Sequence, residues 1–109
     1  MAISRTTKNI RQLFRNIGVK PTLNGYFYWP YAVELAIKRG DSNWKICKDI
    51  YLEVADKFGT TASRVERSMR TITNGYQVKI KKYFDVKFEK ITNKEFLALL
   101  VEYVKGRRK

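Results

Sequence analysis

The sequence predicts an all-α fold, a compact bundle of about six helices containing a helix-turn-helix. Three observations carry that prediction. Apolar residues recur at i, i+3, i+4 and i+7 along nearly the whole chain, the spacing of one helix face. Glycines stand where these runs stop, at Gly18, Gly40 and Gly59. Two of the runs are separated only by "GTT" at 59–61, and so short a link forces the helices to cross sharply.

The elements follow in order. Ile10, Leu13, Phe14 and Ile17 form the first apolar stripe, which ends at Gly18. "VKPTLNGYFYWP" reads as a connection rich in Pro, Gly and Asn, and Pro30 suits the first turn of a second helix. That helix carries Trp29, Ala32, Val33, Ala36 and Ile37 on one side and stops at Gly40. "DSN" at 41–43 supplies capping side chains for a third helix, in which Cys47, Ile50, Tyr51, Val54, Ala55 and Phe58 repeat the spacing. A fourth helix runs from the "GTT" turn to about Asn74, where Gly75 weakens it. In residues 76–91, Val78, Ile80, Val86 and Phe88 fit either a short helix or an alternating strand, and the expectation is a short helix followed by an extended segment. "TNKE" at 92–95 is a capping box that opens a last helix, with Phe96, Leu99, Leu100, Tyr103 and Val104 facing the core.

A chain of 109 residues, 44% hydrophobic, suffices for one domain with a modest core. A single domain over 1–109 is expected, with a core of about 8–105 and a basic tail at 106–109. No run reaches the length of a membrane span and the amino terminus lacks an apolar signal block, so a cytoplasmic protein is expected. With no histidine and one cysteine, the chain lacks a zinc ligand set, an internal disulfide and an imidazole for acid–base work. Its ten carboxylates are scattered. No metal or cofactor, no small-molecule ligand and no enzymatic activity are expected. Cys47 reads as packing rather than as a redox centre.

The formal net charge is +13, from 23 Lys plus Arg against 10 Asp plus Glu. Such a field attracts polyanions and opposes compaction unless a partner offsets it, which points to nucleic acid.

A helix-turn-helix needs a small residue where the second helix crosses the first, a glycine four residues on, and an apolar residue six further on. Ala55, Gly59 and Val65 occupy those places. Turning the fourth helix at about 100° per residue gathers Ala62, Val65, Met69 and Ile72 into one buried arc. Ser63, Arg64, Arg67, Arg70, Thr71 and Asn74 spread over the other side, with Glu66 between Arg70 and the buried arc. Arginine can clamp guanine O6 and N7, and glutamate can accept from cytosine N4, so the set offers direct readout in a major groove. Plainer roles exist as well. Glu66 can close a capping box with Ser63, Arg70 can pair with Glu66 one turn away, and Lys79, Lys81 and Lys82 fit a solvated face as well as phosphate contacts.

"TTASRVERSMR" at 60–70 closely resembles the recognition helix of the C-terminal effector domain of the sporulation stage-zero response regulator family of spore-forming bacteria. "IGVKPTLNGYFYW", "IYLEVADKFGTTASRVER" and "TNKEFLALLVEYV" resemble family segments in the same order, over roughly residues 10–104. The resemblance implies a six-helix domain that binds a short DNA box and activates or represses genes through contact with RNA polymerase. It implies base reading by Arg64 and Glu66, with Arg67 reading bases beside them. It also implies that Ser63 and Arg70 serve nearby bases or phosphates; beyond the resemblance, Thr61, Thr71, Lys79, Lys81 and Lys82 are expected to serve the backbone or secondary contacts. Tandem binding on adjacent boxes implies weak, DNA-assisted homodimers. The sequence departs from the family at Thr71, where histidine is common, in a less helical "TITNGYQ", and at Pro30, which interrupts a helix start. No receiver domain is recognisable.

Two other functions suit the same residues. One is a stand-alone helical interaction module that modulates a full-length regulator. The other is a non-specific nucleic-acid binder relying on charge and exposed aromatic rings.

Overall fold

The computed structural model describes residues 4–39 and 49–107, and among these it contains six helices and no strand. They are α1 (Arg5–Ile17), α2 (Gly25–Arg39), α3 (Tyr51–Phe58), α4 (Ala62–Gly75), α5 (Gln77–Phe84) and α6 (Asn93–Arg107). Gly40, the "DSN" cap and Cys47 lie outside the described residues.

α1 forms as its stripe predicts. Ile10, Leu13, Phe14 and Ile17 are all buried, and Ser4 caps the start by accepting from the Thr7 amide at 3.1 Å. At the other end Gly18 and Val19 donate back to the carbonyls of Arg15 and Phe14, the paired closure of a Schellman motif.

α2 departs from the sequence expectation. Pro30 is not in its first turn: the helix begins five residues earlier, and Pro30 is the sixth residue, buried. A proline there leaves the Tyr26 carbonyl without its intrahelical donor. The aromatic run 26–29 is helical all the same, because helix spacing puts Gly25 and Trp29 on one face, and that face meets α4. A Cβ on Gly25 would lie 2.6 Å from the Ser68 carbonyl oxygen and 2.8 Å from Ile72 Cδ1. Trp29, fully buried, donates its indole N–H to the Met69 carbonyl at 3.2 Å. Its ring meets Phe96 edge-on, with centroids 4.8 Å apart. Burying side chains of this size contributes about 1.5–3 kcal/mol each, which outweighs the one backbone bond that Pro30 removes.

α2 packs against α1, α3, α4 and α6 and so forms the centre of the bundle. In α3, Tyr51, Val54 and Ala55 are buried, but Phe58 is not a core residue as its spacing suggests: it is 41% exposed. The chain turns away at Gly59, so the Phe58 ring rests at the core's edge against Tyr28 and Tyr31. In α6 the buried arc is rotated toward Leu97 and Val101, which join Phe96, Leu100 and Val104, while Leu99 and Tyr103 are only half-buried. The rotation follows from α6 packing on α1, α2 and α4 together. The Thr92–Glu95 box closes reciprocally, with Thr92 N–H donating to Glu95 Oε1 at 2.9 Å and Glu95 N–H to Thr92 Oγ1 at 3.2 Å.

Residues 71–75 are helical, in contrast to the weak helix expected of "TITNGYQ". The break comes at Tyr76, after which α5 starts. Ile80 of α5 is buried and Val78 is 78% exposed, since residues two apart on a helix face different ways. The segment after α5 is irregular, with bends at 89–90, and the Gln77 side chain ties its end to α5. The Gln77 carboxamide donates to the Ile91 carbonyl at 2.6 Å and accepts from the Ile91 amide at 2.8 Å.

Candidate nucleic-acid interface

α3 and α4 are joined by Gly59, Thr60 and Thr61. Gly59 has φ 66°, a left-handed conformation that glycine adopts without strain. The Thr60 amide returns to the Ala55 carbonyl at 3.0 Å, closing α3, and Thr61 then caps α4 by accepting from the Arg64 amide at 3.2 Å. Ala55 is nearly buried at the crossing, and Val65, Met69 and Ile72 are fully buried below α4. This is the geometry of a helix-turn-helix, in which the second helix presents its free face to DNA.

That free face is basic. Ser63, Arg64, Arg67, Arg70, Thr71 and Asn74 are exposed. Arg64 and Arg67 make no side-chain hydrogen bond or ion pair within the described residues. Arg70 Nε lies 3.3 Å from Glu66 Oε2, an i, i+4 pair. The contact is single, and among the described residues no side chain pairs with Glu66 Oε1. The capping box weighed for Ser63 and Glu66 does not form, because Thr61 supplies the cap and Ser63 already lies inside the helix. Thr71 directs its hydroxyl inward along the helix, donating to the Arg67 carbonyl at 2.9 Å.

The three lysines of α5 do not form one group. Lys79 Nζ lies about 3.4 Å from the position a Cβ on Gly18 would take, beside the carboxyl end of α1, where a cation complements the helix dipole. Lys81 Nζ donates to the Glu89 carbonyl at 2.6 Å and braces the segment that follows α5. Lys82 is exposed.

Spacing alone did not reveal a buried polar cluster behind α4. Thr73 Oγ1 donates to Asn93 Oδ1 at 2.7 Å, and Asn93 Nδ2 donates to the Tyr51 hydroxyl at 2.8 Å and to the Glu66 carbonyl at 3.5 Å. A helical wheel places Thr73 about 20° beyond Ala62, at the edge of the buried arc, and that position is the one signal of the cluster in the sequence.

Residues 10–104 match the family model described as Sporulation initiation factor Spo0A C terminal. The chain belongs to this family. Its membership makes it, at family level, a DNA-binding regulatory domain of sporulation initiation, with double-stranded DNA as its partner. Among the described residues, no helix is long and apolar enough to cross a membrane.

Proposed function

We propose that the chain is a sequence-specific duplex-DNA-binding transcription regulator whose α4 enters the major groove. Arg64 and Glu66 read bases, and Arg67 reads beside them. The observation that carries this reading is the exposed arginine face of α4, set opposite a fully buried Val65–Met69–Ile72 stripe and directly after a left-handed glycine turn. Recognition helices contact base edges through their amino-terminal residues, and Arg64, Glu66 and Arg67 lie in the first half of α4. The Glu66–Arg70 pair supports rather than opposes base reading. Arg70 holds one carboxylate oxygen and leaves the other able to accept from cytosine N4.

Thr61, Ser63, Arg70 and Thr71 serve the phosphate backbone in this reading, and of the α5 lysines Lys82 is the one available to join them. Lys79 and Lys81 act within the fold. The protein works where chromosomal DNA lies, in the cytoplasm, as one effector domain spanning the chain. Contact with RNA polymerase is supported by the exposed rings of Phe27 and Phe58, an apolar surface of the kind a protein partner covers. Pairing of two copies is weak and assisted by adjacent sites on DNA.

The test is a fluorescence-anisotropy titration at two salt concentrations. One duplex is selected by the chain itself from a randomised pool, and the other is its scrambled counterpart. Specific reading gives a preference of about a hundredfold or more that survives raised salt. Equal, steeply salt-dependent binding to both would mark a non-specific binder. Absence of binding to either would leave an interaction module.

A further inference from the structure

We propose that Asn93 is a positioning residue for DNA reading, whose carboxamide fixes α4 against α3 and so sets where Arg64 and Glu66 meet the groove. The inference rests on the function proposed above.

Asn93 is the first residue of α6, yet α6 does not need its side chain. Thr92 and Glu95 already satisfy the helix start between them. The Asn93 side chain instead turns into the core, where the residue is 8% exposed. Burying an amide is unfavourable unless its hydrogen bonds are made, and here each polar atom is engaged. Nδ2 donates to the Tyr51 hydroxyl in α3 at 2.8 Å and to the Glu66 backbone carbonyl in α4 at 3.5 Å. Oδ1 accepts from Thr73 in α4 at 2.7 Å.

Glu66 and Thr73 are seven residues apart, about two turns. Helical carbonyls point toward the carboxyl end and side chains lean toward the amino end, so the two groups converge on one amide. Asn93 therefore grips α4 at two heights while holding the first residue of α3. The upper grip, the longer of the two at 3.5 Å, is on the backbone carbonyl of Glu66 itself, one of the three residues proposed to read bases. Apolar packing by Val65, Met69 and Ile72 holds α4 down but tolerates small sliding. Two short hydrogen bonds and a longer one fix its rotation and register, because such bonds weaken steeply with misalignment.

Asn93→Leu keeps the number and branching of side-chain heavy atoms and removes all three bonds, whereas Tyr51→Phe removes, of the three, the link to α3. Each variant is first checked for helical circular dichroism and cooperative unfolding, then titrated well below its melting temperature against the selected and scrambled duplexes. The expected result is that Asn93→Leu lowers the preference about tenfold, one base contact's worth, with affinity for scrambled duplex unchanged. Tyr51→Phe lowers it less. In an amide proton–nitrogen correlation spectrum without DNA, the signals of residues 64–70 shift in both variants. Folded variants that keep the parental preference, or lose affinity equally for both duplexes, would overturn the positioning role. Should Asn93→Leu not fold, Tyr51→Phe decides the matter by the same criteria. A parent chain without any preference would overturn the DNA-reading function and this inference together, and that outcome is visible before any variant is measured.

Discussion

The indole N–H of Trp29 donates to the carbonyl oxygen of Met69 at 3.2 Å, and both side chains are fully buried. The bond ties the second turn of α2 to the middle of α4, so the central helix of the bundle carries α4. Trp29→Phe removes the donor and leaves a gap beside Phe96. A loss of about 2 kcal/mol is expected from the bond and the cavity together, measured by urea denaturation. Unchanged stability would show that the bond does not anchor α4.

Gly25 and Gly59 resist substitution for different reasons. At Gly25 the obstacle is the Ser68 carbonyl oxygen, 2.6 Å from a would-be Cβ, and a helix backbone cannot step aside. Gly25→Ala should cost about 1–3 kcal/mol, more than alanine's helix preference returns at a first helical position. At Gly59 no atom lies within 4 Å of the would-be Cβ, so only the left-handed φ matters. Gly59→Asn should therefore be tolerated better than Gly59→Ala, since asparagine visits that region. Thermal melts of the three variants check the order, and equal losses at Gly59 would contradict the conformational explanation.

The Glu66–Arg70 pair contributes little to folding. Arg70's side chain is 53% exposed, and an exposed i, i+4 pair is worth about 0.3–0.5 kcal/mol before screening by salt. Arg70→Ala should leave the unfolding midpoint almost unmoved while weakening DNA binding. A large drop in stability with intact binding would make Arg70 structural.

Lys81 and Lys82 are adjacent in sequence but should behave differently. Lys82→Gln should flatten the dependence of log affinity on log salt by about 0.9, the signature of one lost phosphate contact. Lys81→Gln should leave the slope alone and speed hydrogen exchange at the Ile91 amide, because its ammonium braces the Glu89 carbonyl and the segment leading to Ile91. Identical salt slopes for parent and Lys82→Gln would return Lys82 to the solvated surface.

Much of this was legible in the sequence because it depends on neighbours in the chain. The α1 stripe, the "GTT" turn, the buried and exposed faces of α4 and the Thr92–Glu95 box all arise from spacings of a few residues. Features set by distant parts of the fold were not legible. Pro30 suits a first turn because that is where proline is best tolerated, and only the meeting of Gly25 and Trp29 with α4 explains a helix that starts earlier. Phe58 fits its helix's apolar spacing, but the Gly59 turn leaves it at the core's edge. At the candidate site, the arginine face was visible from the helical wheel. The Asn93 bridge was not, since its partners Tyr51, Glu66 and Thr73 lie 42, 27 and 20 residues away in sequence. Thr61's capping role displaced the box weighed for Ser63 and Glu66, a choice between two adjacent hydroxyl-bearing segments that depends on where the turn ends.

Arg64→Ala is the most direct test of base reading by α4. Its affinity for the selected duplex and for the scrambled duplex would be measured by anisotropy beside the parent chain in the same buffer. Base reading by Arg64 predicts a loss of about 1–3 kcal/mol on the selected duplex and a much smaller loss on the scrambled one. Equal losses on both would mean that Arg64 supplies charge alone and that α4 does not read sequence through it.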